Sequence, residues 1–226
     1  MMRLRALVLI GILGFTLPET IVWAASVSAV EDLVGKVDAR YAQTQDLQAD
    51  FTQETILEGF TTGFTSSGRL YLKKPGLLRW DYLQPSEEQI YVDGDQVMMY
   101  VPEHQQVVKG VLTQMAASKG PLILLQGVGK LSQQFTILEP ADGSKDKGEL
   151  PSLTLIPKPA GNEAPTIKKI VLKLFPDSYL IQTITLFEMS GNISRVMFDQ
   201  IQVNKGISSR LLKFEVPPDV VVVELP

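Results

Sequence analysis

Between Gly68 and Tyr82 the chain reads Gly-Arg-Leu-Tyr-Leu-Lys-Lys-Pro-Gly-Leu-Leu-Arg-Trp-Asp-Tyr. Leu70 and Leu72 alternate with Arg69 and Tyr71, a period of two that belongs to a strand with unlike faces. Lys73-Lys74-Pro75-Gly76 then breaks the pattern. Pro75 sets its own φ and Gly76 accepts a positive one, as a type II turn requires. A second strand follows, with Leu78, Trp80 and Tyr82 on one face and Leu77, Arg79 and Asp81 on the other. The stretch is a hairpin with an aromatic-rich apolar face and a basic turn. Pattern alone makes it an ordinary half-buried hairpin.

The first 24 residues carry a different signal. Arg3 and Arg5 precede an apolar run, Ala6 to Leu17, that is short for a membrane span. Val22-Trp23-Ala24 then fits a cleavage site, so residues 1–24 are expected to be a removed secretory signal and 25–226 a single exported domain. Uncleaved anchoring is the rival reading. No later stretch reaches eighteen unbroken apolar residues. The chain has no cysteine, which excludes disulfides, thiolate metal sites and a lipid-modified N-terminal cysteine. Loss of Arg3, Arg5 and Glu19 moves the net charge from −4 by one further negative unit, which argues against nucleic acid as a partner.

Ser28 to Ala42 is the first expected helix, with Ser28 and Glu31 as a capping box. Val30, Leu33, Val34, Val37 and Tyr41 make one apolar stripe at helical spacing. From Leu47 the pattern is strands, and Asp93-Gly94 is a hairpin turn between Gln89–Val92 and Val97–Val101. The remaining ligands of a calcium loop are missing around Asp93 and Asp95. Between residues 111 and 131 the pattern becomes helical. Leu122-Ile123-Leu124-Leu125, flanked by Gly120, Gly127 and Gly129, is apolar on every side and is either buried between layers or a movable lid. Strands resume at 133–139, 153–156, 167–175, 180–189, 193–203 and 211–216. No repeat or linker divides them, so one antiparallel domain is expected.

A catalytic constellation is not evident. His104, the only histidine, sits in a Pro-Glu-His-Gln turn and reads as a solvated loop residue. Ser144-x-x-Lys147 has hydrolase spacing, but a charged polar loop does not desolvate a lysine. Zinc is disfavoured with one histidine and no cysteine, and no cofactor fingerprint is present.

In order and spacing, Gly68-x-Leu70-x-x-Lys73-Lys74-Pro75-Gly76-x-x-Arg79-Trp80-x-Tyr82 resembles the signature of the periplasmic outer-membrane lipoprotein carrier family, the LolA-like proteins. Phe51-x-Gln53, Asp93-Gly94, Pro102-Glu103, Gly120-Pro121-Leu122, Gly191-Asn192 and Phe214-x-x-Pro217 extend the likeness from about residue 30 to the C-terminus. It implies a mainly β (α+β) fold: an unclosed, strongly curved, barrel-like antiparallel sheet with short lid helices over an apolar cavity. It implies a non-enzymatic, monomeric periplasmic carrier of acylated lipoproteins. An inner-membrane ABC transporter would load it and an outer-membrane receptor unload it. Cavity walls would come from Leu70, Leu78, Trp80, Tyr82, Met98 and Tyr100, with Leu33 and Val37 in the roof and Leu122 and Leu125 in the lid. The family often has an aromatic near Met98, so the wall is softer here. Lys74 stands where the family commonly has an arginine that latches the lid, and lysine replaces a planar five-donor fork with a flexible ammonium. A periplasmic lipid- or lipoprotein-sensing domain of the same fold, and a lipid-processing enzyme, are the other readings.

Overall fold

The computed structural model of the chain describes residues 21–112, 124–125, 131–138, 150–158 and 165–225. Helix α1 (Ile21–Ala42) leads into β1 (Asp46–Ile56), followed by β2 (Phe64–Lys73), β3 (Leu77–Gln84), β4 (Glu88–Asp93), β5 (Gln96–Val101) and β6 (Gln106–Val111). A short helix α2 (Leu131–Gln134) precedes β7 (Phe135–Leu138), β8 (Ser152–Pro157), β9 (Ile167–Leu174), β10 (Ile181–Glu188) and β11 (Ile193–Val203), and β12 (Val221–Glu224) ends the chain. These form one 12-stranded sheet in the order β12-β6-β5-β4-β3-β2-β1-β11-β10-β9-β8-β7. Every pairing is antiparallel except that of β12 with β6. Two meanders, β1 to β6 and β7 to β11, are therefore joined along β1 and β11 into a curved sheet that does not close, as expected.

Register explains the two faces. Val203, Leu47, Leu72, Leu78, Val92 and Val97 stand opposite one another in turn from β11 to β5. One step along, on the other face, the row reads Gln202, Gln48, Tyr71, Arg79, Tyr91 and Met98. A strand turns successive side chains to opposite faces, so the sequence alternation becomes an apolar inner face and a polar outer one. The inner face carries the core, with Leu78, Leu153, Leu172 and Ile184 wholly buried. Val37 and Tyr41 of α1 are buried against it, and Val30, Leu33 and Val34 pack beside them.

Gly68 has a local reason. A β-carbon there would fall 1.8 Å from the Asp81 carbonyl oxygen and 2.9 Å from the Phe51 ring, at the bulge where β2 and β3 change register. No other residue lets Phe51 lie over the strand at this point.

Two expectations need correction. Helix α1 begins at Ile21, so Ser28 lies inside it and is not an N-cap. The helical backbone ladder runs on N-terminal of it, through residues 21–27. Residues 211–216 are not a strand. Ser209–Leu212 is a 3-10 turn, and Phe214 crosses the outer face to stack on Tyr91 and Tyr100, at centroid distances of 4.9 and 5.8 Å. The last strand is β12, which lies farther on.

Candidate functional site

The inner wall is built by β1, β3 and β11 around an aromatic group. Phe51 and Trp80 lie 4.5 Å apart between ring centroids, Phe51 and Tyr82 meet edge-on at 5.3 Å, and Trp80 meets Phe198 at 6.1 Å. Trp80 is 1% exposed, Leu70 1% and Leu78 0%. Tyr82 is half-buried against the same core. Of the roof residues, Val37 is buried and Leu33 half-buried. Leu124 and Leu125 are buried in the core, while Leu122 falls outside the described residues. Leu70, Leu78, Trp80, Tyr82, Leu33, Val37 and Leu125 thus come together on one face.

Met98 and Tyr100 do not join them. Register sets Met98 opposite Tyr91 and Tyr100 opposite Gln89, on the outer face, and Met99 packs on the core in their place. The cause is the hairpin turn. Gly94 and Asp95 separate Asp93 from its partner Gln96, which turns Val97 and Met99 inward. Counting inward from the turn, rather than following the family motif, identifies the right face.

The basic turn holds both sides of the sheet. Lys74 Nζ donates to the Tyr41 carbonyl in the last turn of α1, and Lys73 Nζ donates to the Ile207 carbonyl of the C-terminal segment. A cation is favoured at a helix C-terminus, where carbonyls lack intrahelical partners. Burial alone pushes the Lys74 ammonium below its ordinary pKa. The Lys74 N–H donates to the Gln45 carbonyl at 2.8 Å, and the Gly94 N–H to that of Gly76 at 3.0 Å, so the α1–β1 junction and two hairpin turns share one end. The Lys74–Pro75 bond is cis, while Gly76 has the expected positive φ of 68°. The role of Lys73 was not legible beforehand, because two adjacent lysines give no indication of which face each serves.

Tyr41 joins α1 to the second meander. Its hydroxyl oxygen accepts the Ile181 N–H at 3.1 Å, and burial pushes its pKa up to about 12. Asp38 holds α2, accepting the Leu131 N–H. Burial raises its carboxyl above the usual range and that bond partly offsets the rise. Tyr82 donates to Gln53 Oε1 at 2.8 Å, and Gln53 Nε2 reaches Ser194 Oγ at 3.1 Å and Thr55 Oγ1 at 3.2 Å. Burial, and then the charge of Glu88, raise the Tyr82 pKa. Trp80 Nε1 is near enough to pull the other way but falls short of hydrogen-bond geometry.

Among the described residues no cluster of three or more histidine or acidic side chains could hold a metal, and no helix is long and apolar enough to cross a membrane. His104 is exposed in a 3-10 turn.

The family model described as outer membrane lipoprotein carrier protein LolA matches residues 42–215. The chain belongs to this family. An outer-membrane lipoprotein carrier protein of Pseudomonas entomophila is 28% identical over 202 residues, covering 89% of this chain and 92% of that one. One from Methylococcus capsulatus is 31% identical over 178 residues, covering 79% and 81%. Among solved structures, a DUF1329 family protein from Desulfovibrio piger has a TM-score of 0.54 at 13% identity, covering 83% of this chain and 97% of that one, a likeness of fold alone. Within the LolA family frame, the matched span runs from the last residue of α1 through the outer-face aromatic group at Phe214.

Proposed function

We propose that the protein is a periplasmic carrier that holds the acyl chains of lipoproteins against the inner face of the sheet and passes them to an outer-membrane receptor. An inner-membrane ABC transporter would load it, and residues 1–24 would be the export signal removed before it acts. The observation that carries this reading is the unbroken apolar row from Val203 to Val97, roofed by a helix whose last turn is held by Lys74 and by the Tyr41 hydroxyl. Such a surface offers non-directional attraction to chains of varied length and no group that transforms them.

Magnitude sets the mechanism. At about 0.8 kcal/mol per buried methylene, a long acyl chain gains on the order of 10 kcal/mol on leaving water. Several chains held at full strength would not be released. The inner wall is already buried beneath α1 and the Leu124–Leu125 pair, so cargo must displace its own cover. Part of the transfer energy is spent on that opening, and reclosure returns it when the cargo leaves. Lys74 on the Tyr41 carbonyl is the proposed latch.

Native mass spectrometry of protein recovered from periplasm tests the reading, together with release of lipoprotein from spheroplasts by added carrier. A bound lipoprotein and carrier-dependent release are expected. Protein that carries no acylated polypeptide and releases none would overturn it.

A further inference from the structure

Two inner rows change character midway across the sheet. From β8 to β11 the first reads Leu153, Leu172, Ile184 and Val196, and continues on β1 and β2 as Gln53 and Ser66. The second reads Leu155, Ile170 and Leu186, then Ser194, Thr55 and Phe64. Register is intact through both rows, so these polar side chains are on the core face by design of the pairing and not by slippage. Gln53 is six residues along β1 from Leu47, which places the polar group about 20 Å from the Lys74 end of the wall.

Polar side chains on an apolar wall need partners. Gln53 ties Tyr82, Thr55 and Ser194 into one network at 2.8, 3.2 and 3.1 Å, and Ser194 is only 8% exposed. Beside it the buried Trp80 Nε1 makes no hydrogen bond. Hydroxyl hydrogens rotate, so such a network can turn donors toward an arriving acceptor while an indole N–H stands ready. This is also the end at which inner-face side chains reach solvent. Phe64, opposite Thr55, is 65% exposed, and Phe60 and Met189 nearby are 64% and 60% exposed.

We propose that Gln53, Thr55, Tyr82, Ser194 and the Trp80 N–H form a headgroup subsite that hydrogen-bonds the ester and amide carbonyls at the polar end of a diacylated ligand. The proposal rests on the carrier reading and adds a direction to it. Chains run along the apolar wall toward α1 and Lys74, while the carbonyls stop at the solvent-facing end.

Two synthetic cysteinyl lipopeptides of equal chain length test it, one with S-linked diacylglyceryl esters and one with the dialkyl ether that lacks the ester carbonyls. The native protein is expected to prefer the ester by about three- to tenfold. Gln53→Leu and Ser194→Ala should each collapse that preference, with circular dichroism confirming the fold. Should Gln53→Leu fail to fold, the smaller Ser194→Ala decides. Equal affinity of the native protein for ester and ether overturns the subsite, as does a variant that weakens both ligands alike. Native protein that binds neither lipopeptide overturns the carrier reading itself.

Discussion

Arg79 and Trp80 are neighbours in β3, yet what surrounds them differs in kind. Trp80 on the inner face meets other rings: Phe51, Tyr82 and Phe198. Arg79 on the outer face meets directional partners. Its Nε is 2.9 Å from Asp81 Oδ1, its guanidinium lies 5.1 Å from the centre of the Tyr91 ring, and it donates to the Leu211 carbonyl at 3.1 Å. Burial would lower its pKa, but the Asp81 carboxylate outweighs that and holds it raised. Around Trp80 the inner face therefore adheres without fixing geometry. The outer face fixes the C-terminal segment by geometry. Dispersion and area stabilise whatever shape fits, whereas charge-assisted bonds reward one arrangement.

The largest expected effect falls on the inner face. Trp80→Ala should cost about 3–5 kcal/mol of stability in denaturant titration, since it leaves a cavity among three rings. A cost below that of Tyr91→Ala would break the contrast between the faces. On the outer face, Phe214→Ala should cost about 2 kcal/mol and speed proteolysis after residue 205 while leaving lipoprotein uptake intact. Lost uptake would show that the outer face shares the cargo role. Lys74→Leu should cost about 1–2 kcal/mol and quicken amide exchange at Thr44, whose N–H shares the Tyr41 carbonyl, with Lys74→Arg restoring protection. Lys73→Leu should instead loosen the segment near Ile207. Identical exchange maps for the two lysine variants would refute their separate roles.

The last effect shows only at alkaline pH. Tyr41 ionises at about 12 in the fold against an ordinary 10, so the folded state holds its proton longer than the unfolded chain. Its stabilising contribution is whole below pH 10 and is lost as pH rises toward 12, by no more than about 1.4 kcal/mol per pH unit. Tyr41→Phe should flatten that part of the profile. An unchanged slope would mean that Tyr41 is solvated.

Much of this was legible because period two is a strict code. Leu70, Leu72, Leu78, Trp80 and Tyr82 could be assigned to one face from alternation, and the strand bounds Ile193–Val203 from turn residues on either side. Met98 and Tyr100 were misassigned because the family motif points to a region while the turn fixes parity. The C-terminal path escaped for another reason. Phe214 is a strand-like residue whose partners, Tyr91 and Tyr100, come more than a hundred residues earlier in the chain, and no local pattern reports such a contact. Gln53 was visible as part of Phe51-x-Gln53, but its network depends on Ser194, which register alone brings opposite Thr55.

The join between the two meanders has a consequence for assembly. Each meander is stitched from hairpins whose partners are close in sequence, but β1 meets β11 through pairs such as Leu47 with Val203. Closing so long a loop carries an entropic cost that local hairpins avoid, so the seam is the late event in folding. As the chain emerges from its N-terminus, β1 waits with one edge bare until nearly everything else has arrived. Pulse-labelled amide exchange should show β9 and β10 protected before the β11-facing amides of β1. The inner face is then complete only when that seam closes, so a half-made molecule has no continuous apolar wall.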